Sequence, residues 1–277
     1  MKRKICIITG SRADYGLMQI LINKFHKDKD IELKIIATGM HLLSKFGNTY
    51  KEILKDGFRI EKKVKILSSS DTPTAISKST GLGIMRFASL FDSAKPDLLV
   101  VFGDRYEIMS AVIAANFHQI PVAHIGGGDT TLGAVDECIR HSITKMSWLH
   151  FVSNLSSKKR VIQLGENPKR VFVTGSLGVD RLRNAKLLNK KLIEKKMKFK
   201  FNKKNILITY HPVTLEKNTS AYQFKEILSA VSELKDTKLI FTYPNSDTFG
   251  RIVIKMIKKF VSSNKCDSVK FSSMGYV

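Results

Sequence analysis

Hydrophobic positions along the chain alternate between two patterns. Short runs rich in Val, Ile and Leu are separated by longer stretches in which apolar residues recur at helical spacing. The short runs predict strands at 4–9, 32–37, 97–102, 121–125, 149–152 and 170–174, each closed by a turn signal. The longer stretches predict helices at 15–26, 46–55, 105–117, 135–146 and 156–164. Strands that alternate with helices in this way belong to a parallel sheet covered on both faces. The expectation is an α/β fold whose first domain, 1–182, is Rossmann-like and doubly wound. A Lys-rich connection at 183–204 follows, and then a second set of units, with strands at 205–210, 238–242 and 268–272 and helices at 222–234 and 248–263. Three strands and two helices make the second Rossmann-like domain, 205–277, look partial, and two such domains would be the glycosyltransferase-B type.

Composition changes this picture little. The chain of 277 residues suits two compact domains, and a hydrophobic fraction of 43% fits a globular protein. The three cysteines, Cys6, Cys138 and Cys266, lack CxxC or Cys/His ligand spacing, so no metal site is expected. The start, MKRKICIITG, has neither a long apolar segment nor a small-residue cleavage site. No run of about 18 apolar residues occurs, and a cytoplasmic protein without a membrane partner is expected. The formal charge of +23 raises the question of an anionic partner. Its densest run, KKLIEKKMKFKFNKK, reads as a solvated face, and no zinc-finger, RNP or basic-zipper pattern accompanies it. Nucleic acid is therefore not expected as a partner.

Candidate chemistry gathers where strands end. Arg12 and Asp14 stand in GSRADYG, His41 in TGMH, Asp104 and Arg105 in GDRYE, His124 and Asp129 in HIGGGD. Asp136 and Glu137 open the next helix, and His211 follows the first strand of the second domain. Strand ends of a doubly wound sheet converge, so these groups are expected to line one inter-domain cleft. Arg12 and Arg105 are donor forks suited to phosphate. Asp104, Asp129 and Asp136 are candidate acids and bases, and crowding raises the pKa of at least one carboxylate in such a group. His211 suits acid, base or hydrogen-bond duty. Plainer readings stand beside these. Asp136 is equally a first-turn acid facing a helix dipole, Asp104 an N-cap, the run 126–128 a tight turn, and His41, His141 and His150 structural.

Taken in order, GSRADYG, TGMH, GDRYE, HIGGGDTTLGAVDECIRHSITKMS, RVIQLGENP, TGSLG, YHPVT and PNSDT resemble the hydrolysing UDP-N-acetylglucosamine 2-epimerases of sialic and legionaminic acid synthesis. The resemblance covers essentially the whole chain. It implies the glycosyltransferase-B fold, no cofactor, and elimination of UDP across C1 and C2 of a UDP-sugar. Hydration of the resulting 2-acetamidoglucal then gives a free, C2-inverted sugar such as N-acetylmannosamine. The implied partner is the UDP-sugar substrate, with a second copy of the chain as a candidate protein partner. Asp104, Asp136 and His211 match family positions assigned to catalysis, and Arg12 and Arg105 match nucleotide or sugar contacts. Asn245 and Asp247 match a second-domain loop at the sugar site. Many relatives carry glutamate where this chain has Gly126; others carry an acid two glycines later, the place of Asp129.

The resemblance also implies that relatives continue past the closing GYV with elements that bind UDP, so a half-built second domain, weak UDP binding and little turnover are expected of this chain. The readings set beside the UDP-N-acetylglucosamine epimerase are a 2-epimerase of a UDP-2,4-diacetamido-trideoxyhexose, an inactive remnant that binds nucleotide sugars, and a glycosyltransferase of the same fold.

Overall fold

The computed structural model describes residues 2–67, 70, 72–216, 218–244, 249–263 and 267–271, with side chains described as far as residue 267. By contact the chain divides into two compact units, Met1–Ser69 with Thr74–Ala185, and Ser70–Pro73 with Lys186–Val277. In the first, strands β1 (Arg3–Thr9), β2 (Ile31–Thr38), β3 (Ile60–Val64), β4 (Leu98–Phe102), β5 (Val122–Ile125), β6 (Leu149–Val152) and β7 (Val171–Val173) form one sheet. Its order is β3-β2-β1-β4-β5-β6-β7, and every pairing is parallel. The connections are helices α1 (Arg12–Lys27), α2 (Tyr50–Lys55), α3 (Pro73–Ala94), α4 (Tyr106–Phe117), α5 (Val135–Lys145) and α6 (Leu155–Gln163); α7 (Leu177–Asn184) follows β7. Strand order reverses between β1 and β4, the switch point at which ligands of doubly wound sheets generally bind.

The sheet is buried on both faces, which is why its strands read as continuous apolar runs. Cys6, Ile8, Ile36, Leu99 and Val101 face one way, against Phe87 of α3, Ala111 of α4 and Ile143 of α5. Ile5, Ile7, Ile35, Ala37 and Val100 face the other, against Tyr15, Met18 and Ile22 of α1 and Ile53 of α2. Ile7, Ile8 and Ile36 are fully buried, each worth roughly 1.5–3 kcal/mol of transfer free energy.

Six of the seven strands stand where the apolar runs predict them. The structure adds β3, whose sequence IEKKV hides a strand behind charges that suit a sheet edge. It also adds α3, PTAISKSTGLGIMRFASLFDSA, whose glycines and serines mask its helical period. Those small residues have a use: a Cβ on Gly83 would lie 2.8 Å from the Ser110 side chain, so glycine lets α3 approach α4 closely. Ser110 Oγ donates to the Thr80 carbonyl at 3.0 Å across the same contact. The helix expected at 46–55 is shorter, because two 3₁₀ turns, Gly39–Leu42 and Ser44–Phe46, precede α2.

The second unit contains α8 (Lys190–Met197), β8 (Lys204–Ile208), α9 (Ser220–Ser232), β9 (Thr237–Thr242), α10 (Gly250–Ser262) and β10 (Ser268–Phe271). The three strands are parallel in the order β10-β9-β8. Phe224 of α9 and Val253 and Ile257 of α10 pack on Leu239 and Phe241 of β9. The Lys-rich segment, expected as connection, is helical in α8, capped by Asn189, whose side chain accepts from the Leu192 amide at 3.0 Å. Beyond α8, Phe199 and Phe201 meet edge to face at 4.9 Å, and Lys238 Nζ lies 5.8 Å from the Phe199 ring centre. Among the described residues, no helix is long and apolar enough to cross a membrane.

Candidate active site

The loop after β1 is built to satisfy itself. Ser11 caps α1 by accepting from the Asp14 amide at 3.3 Å, and Asp14 Oδ2 accepts from the amides of Ser11 at 2.9 Å and Gly10 at 3.2 Å. Burial pushes the Asp14 carboxyl above its ordinary range, and the Arg105 guanidinium and these hydrogen bonds pull back. Arg12, expected as a phosphate fork, gives its Nε to Glu52 Oε2 at 3.0 Å. His41, expected to touch substrate, is fully buried: Nε2 lies 3.0 Å from Thr9 Oγ1 and Nδ1 2.8 Å from Thr49 Oγ1. Burial lowers its pKa to about 4, so it is neutral at pH 7. Its place departs from the expectation, because a ring walled in on both nitrogens supports the β1 and β2 loops instead. Gly39 explains the tightness there; it has φ +58°, and a Cβ would come within 2.7 Å of the Gly10 carbonyl.

The loop after β4 carries Asp104 and Arg105. Arg105 is the N-cap of α4 and donates to Glu107, Nε to Oε2 at 3.2 Å and Nη2 to Oε1 at 3.4 Å. Arg105 is 9% exposed and Glu107 fully buried, so the expected anion fork is matched by a carboxylate of its own chain. Asp104 is 23% exposed and ion-paired through Oδ2 to Nη2 of Arg140, itself 8% exposed. Arg140 also gives Nη1 to the Asp129 carbonyl at 2.7 Å and Nη2 to Thr131 Oγ1 at 2.9 Å. One guanidinium on α5 therefore joins the turn after β4 to the glycine loop after β5.

Asp129, expected as a catalytic carboxylate, is held through one oxygen. Its Oδ1 accepts from Ser157 Oγ at 2.5 Å and Ser153 Oγ at 3.0 Å, which ties the glycine loop to the start of α6. Asp136 lies in the first turn of α5. Beside it, Glu137 accepts from the Thr131 amide at 2.6 Å and has Oε1 3.9 Å from His141 Nε2. Of the three carboxylates expected to crowd one another, Asp104 faces Arg140; a fourth, Glu107, faces Arg105. His211 is exposed on the second unit, shortly after β8. Asn245 and Asp247 lie outside the described residues.

Within the first unit, then, the structure brings Asp104 and the Asp129 main chain onto Arg140, and Arg105 onto Glu107 near the β1 loop. The sequence reading missed Arg140 and Glu107. The signal for Arg140 is the block IRHSIT, where a helical arginine sits one turn before a threonine that also faces inward. Asp104, partly exposed at the end of β4 with one oxygen held, has the form of a positioned acid or base. Among the described residues, no three His, Cys, Asp or Glu side chains group as metal ligands.

A doubly wound parallel sheet with ion-paired carboxylates at its switch point defines the class: a Rossmann-type α/β protein with polar chemistry at the carboxyl ends of its strands. Comparison with known proteins narrows it. Residues 23–277 match the family model for UDP-N-acetylglucosamine 2-epimerase. A Campylobacter jejuni protein named GDP/UDP-N,N'-diacetylbacillosamine 2-epimerase (hydrolyzing) is 43% identical over 99% of this chain and 71% of its own length. The Escherichia coli polysialic acid biosynthesis protein P7 is 41% identical over 95% of this chain and 67% of its own. The fold matches UDP-GlcNAc 2-epimerase from Methanocaldococcus jannaschii, solved with UDP-GlcNAc and UDP, at TM-score 0.78 and 21% identity, covering 96% of this chain and 73% of that one. The chain belongs to the UDP-N-acetylglucosamine 2-epimerase family.

Proposed function

We propose that the protein is a hydrolysing 2-epimerase of a UDP-2-acetamido sugar. Asp104 moves a proton at C2 or at the departing oxygen while UDP is eliminated to a 2-acetamidoglucal. Water then adds across the double bond, with the new C2 proton delivered to the opposite face, giving free sugar and UDP. The observation that carries this reading is 43% identity to a hydrolysing 2-epimerase across 99% of the chain. An acid–base carboxylate held in register by Arg140 supports it. Asp136 and His211 are the further candidates for proton transfer, and Arg12 and Arg105 for ordering the substrate. A role for Arg12 or Arg105 in holding diphosphate requires the guanidinium to share its donors with Glu52 or Glu107.

The choice of sugar favours a 2,4-diacetamido-2,4,6-trideoxyhexose over N-acetylglucosamine. A Legionella pneumophila UDP-N,N'-diacetylbacillosamine 2-epimerase is 36% identical over 94% of this chain, while a Neisseria meningitidis UDP-N-acetylglucosamine 2-epimerase is 30% identical over 95%. The test is incubation of the purified chain with each UDP-sugar and no acceptor, following UDP and free sugar by NMR. On the family reading, release of both products, faster from the diacetamido substrate, replaces the little turnover expected from the sequence; little or no release would instead favour a remnant that only binds nucleotide sugars. UDP release that needs an acceptor would mean a glycosyltransferase, and a higher kcat/KM with UDP-GlcNAc would reverse the assignment of the sugar.

A further inference from the structure

His124 is fully buried on β5 and touches neither Asp104 nor any group assigned above to proton transfer. Its Nε2 lies 2.8 Å from the carbonyl of Gly103, the residue before Asp104. Its Nδ1 lies 3.2 Å from Thr144 Oγ1 on α5. We propose, resting on the epimerase reading, that His124 is a positioning residue for the reaction: its Nε2–H holds the Gly103 carbonyl and so fixes the turn that carries Asp104.

The proton inventory leaves one arrangement. A carbonyl only accepts, so the hydrogen bond to Gly103 requires the proton on Nε2, and the neutral ring then accepts at Nδ1. Thr144 Oγ1 has one proton, given to the Arg140 carbonyl at 3.0 Å, and stands 3.2 Å from Nδ1, so it is the Gly103 carbonyl that fixes the tautomer. Burial holds the His124 pKa down to about 4, with Arg140, His141 and His150 adding to the effect, so the neutral form prevails at pH 7. Gly103 needs holding: it has φ +82° and is tethered otherwise by its amide to the Ile125 carbonyl at 3.0 Å. The glycine loop closes over the device. A Cβ on Gly127 would stand 2.9 Å from Thr144 Oγ1 and 3.0 Å from His124 Nδ1, so a side chain there would push the pair apart.

Two residues one helical turn apart on α5 thus act on the same turn. Arg140 grips the Asp104 carboxylate, and Thr144 meets the ring of His124, whose Nε2–H grips the main chain before it. A base held at both backbone and side chain keeps its aim, and a displacement of about 1 Å can lower a rate on the order of a hundredfold.

The test uses the full chain with His124→Gln, whose amide nitrogen reaches the Nε2 position, and His124→Asn, whose amide stops at the Nδ1 position. His124→Asn is expected to lower kcat roughly 10- to 100-fold with KM nearly unchanged, and to speed hydrogen exchange at the Gly103 amide. His124→Gln is expected to restore both. In an Asp104→Asn background, His124→Asn is expected to add little further loss, because both changes act through one group. Thr144→Val is expected to leave the ring in the Nε2–H tautomer, read from imidazole ¹⁵N shifts, because the Gly103 carbonyl fixes the proton there. The same ¹⁵N shifts in the wild-type chain decide the matter if His124→Asn fails to fold. Unchanged kcat in His124→Asn, equal losses in Gln and Asn variants, or an Nδ1–H ring in the wild-type chain would overturn the proposal. Absence of wild-type turnover would instead sink the epimerase reading, while exchange and tautomer measurements still report whether His124 holds the turn.

Discussion

Removing the guanidinium of Arg140 tests the joint between the two loops. Its side chain is 8% exposed, and it meets an Asp104 carboxylate 23% exposed, so Arg140→Ala leaves a largely buried anion without its partner. Breaking such a pair costs about 3–5 kcal/mol, and the exposure of Asp104 places this case near the low end. The Asp129 carbonyl at 2.7 Å and Thr131 hydroxyl at 2.9 Å lose a donor as well, at about 1 kcal/mol each. The expected loss is therefore about 3–5 kcal/mol, a large share of the roughly 5–15 kcal/mol that holds a domain together. With Asp104→Asn already in place the anion is gone, and Arg140→Ala should cost only about 1–3 kcal/mol. Urea unfolding followed by fluorescence reads the first unit selectively, because the single tryptophan, Trp148, lies there. A loss under about 1 kcal/mol, or equal losses in the two backgrounds, would refute the reasoning.

Asp104→Asn keeps the shape of the side chain and removes its proton, so kcat should fall far more than UDP-sugar affinity; comparable falls would mark Asp104 as a binding residue. In α3, Gly83→Ala should destabilise by about 1–3 kcal/mol, because its Cβ meets Ser110 at 2.8 Å. Gly81→Ala, with nothing within 4 Å, should stabilise by about 0.5–1 kcal/mol in the same assay. For pH, the folded pKa of His124 is lowered to about 4 from 6.5, so below 6.5 the unfolded chain binds the extra proton first. Its contribution is present above about pH 6.5 and lost as pH falls toward 4. The stability advantage of wild type over His124→Gln should shrink across that window, and a constant difference would contradict the assignment of a neutral, buried ring.

How much of this is legible in a sequence depends on what each residue answers to. Strands buried on both faces announce themselves as apolar runs, and six of the first unit's seven were readable for that reason. The strand β3 was not, since an edge strand tolerates the charges of IEKKV, and α3 was not, since Gly83 serves close packing rather than helix propensity. Strand-end chemistry was legible as positions but not as partners. Arg105 reads as an open fork until Glu107, two residues on, is seen to fill it, and Asp129 reads as an acid until Ser153 and Ser157 are seen to hold it. Arg140 and Thr144 carried no local signal beyond helical spacing, because their importance lies in loops from other strands.

The most direct test of the central claim is to run the reaction in D₂O with the purified chain and a UDP-2-acetamido sugar protonated at C2. Elimination followed by hydration removes the original C2 proton and returns one from solvent. The account predicts released UDP and a free sugar with inverted C2 carrying one deuterium there. A released sugar that keeps its C2 proton and its configuration would contradict it.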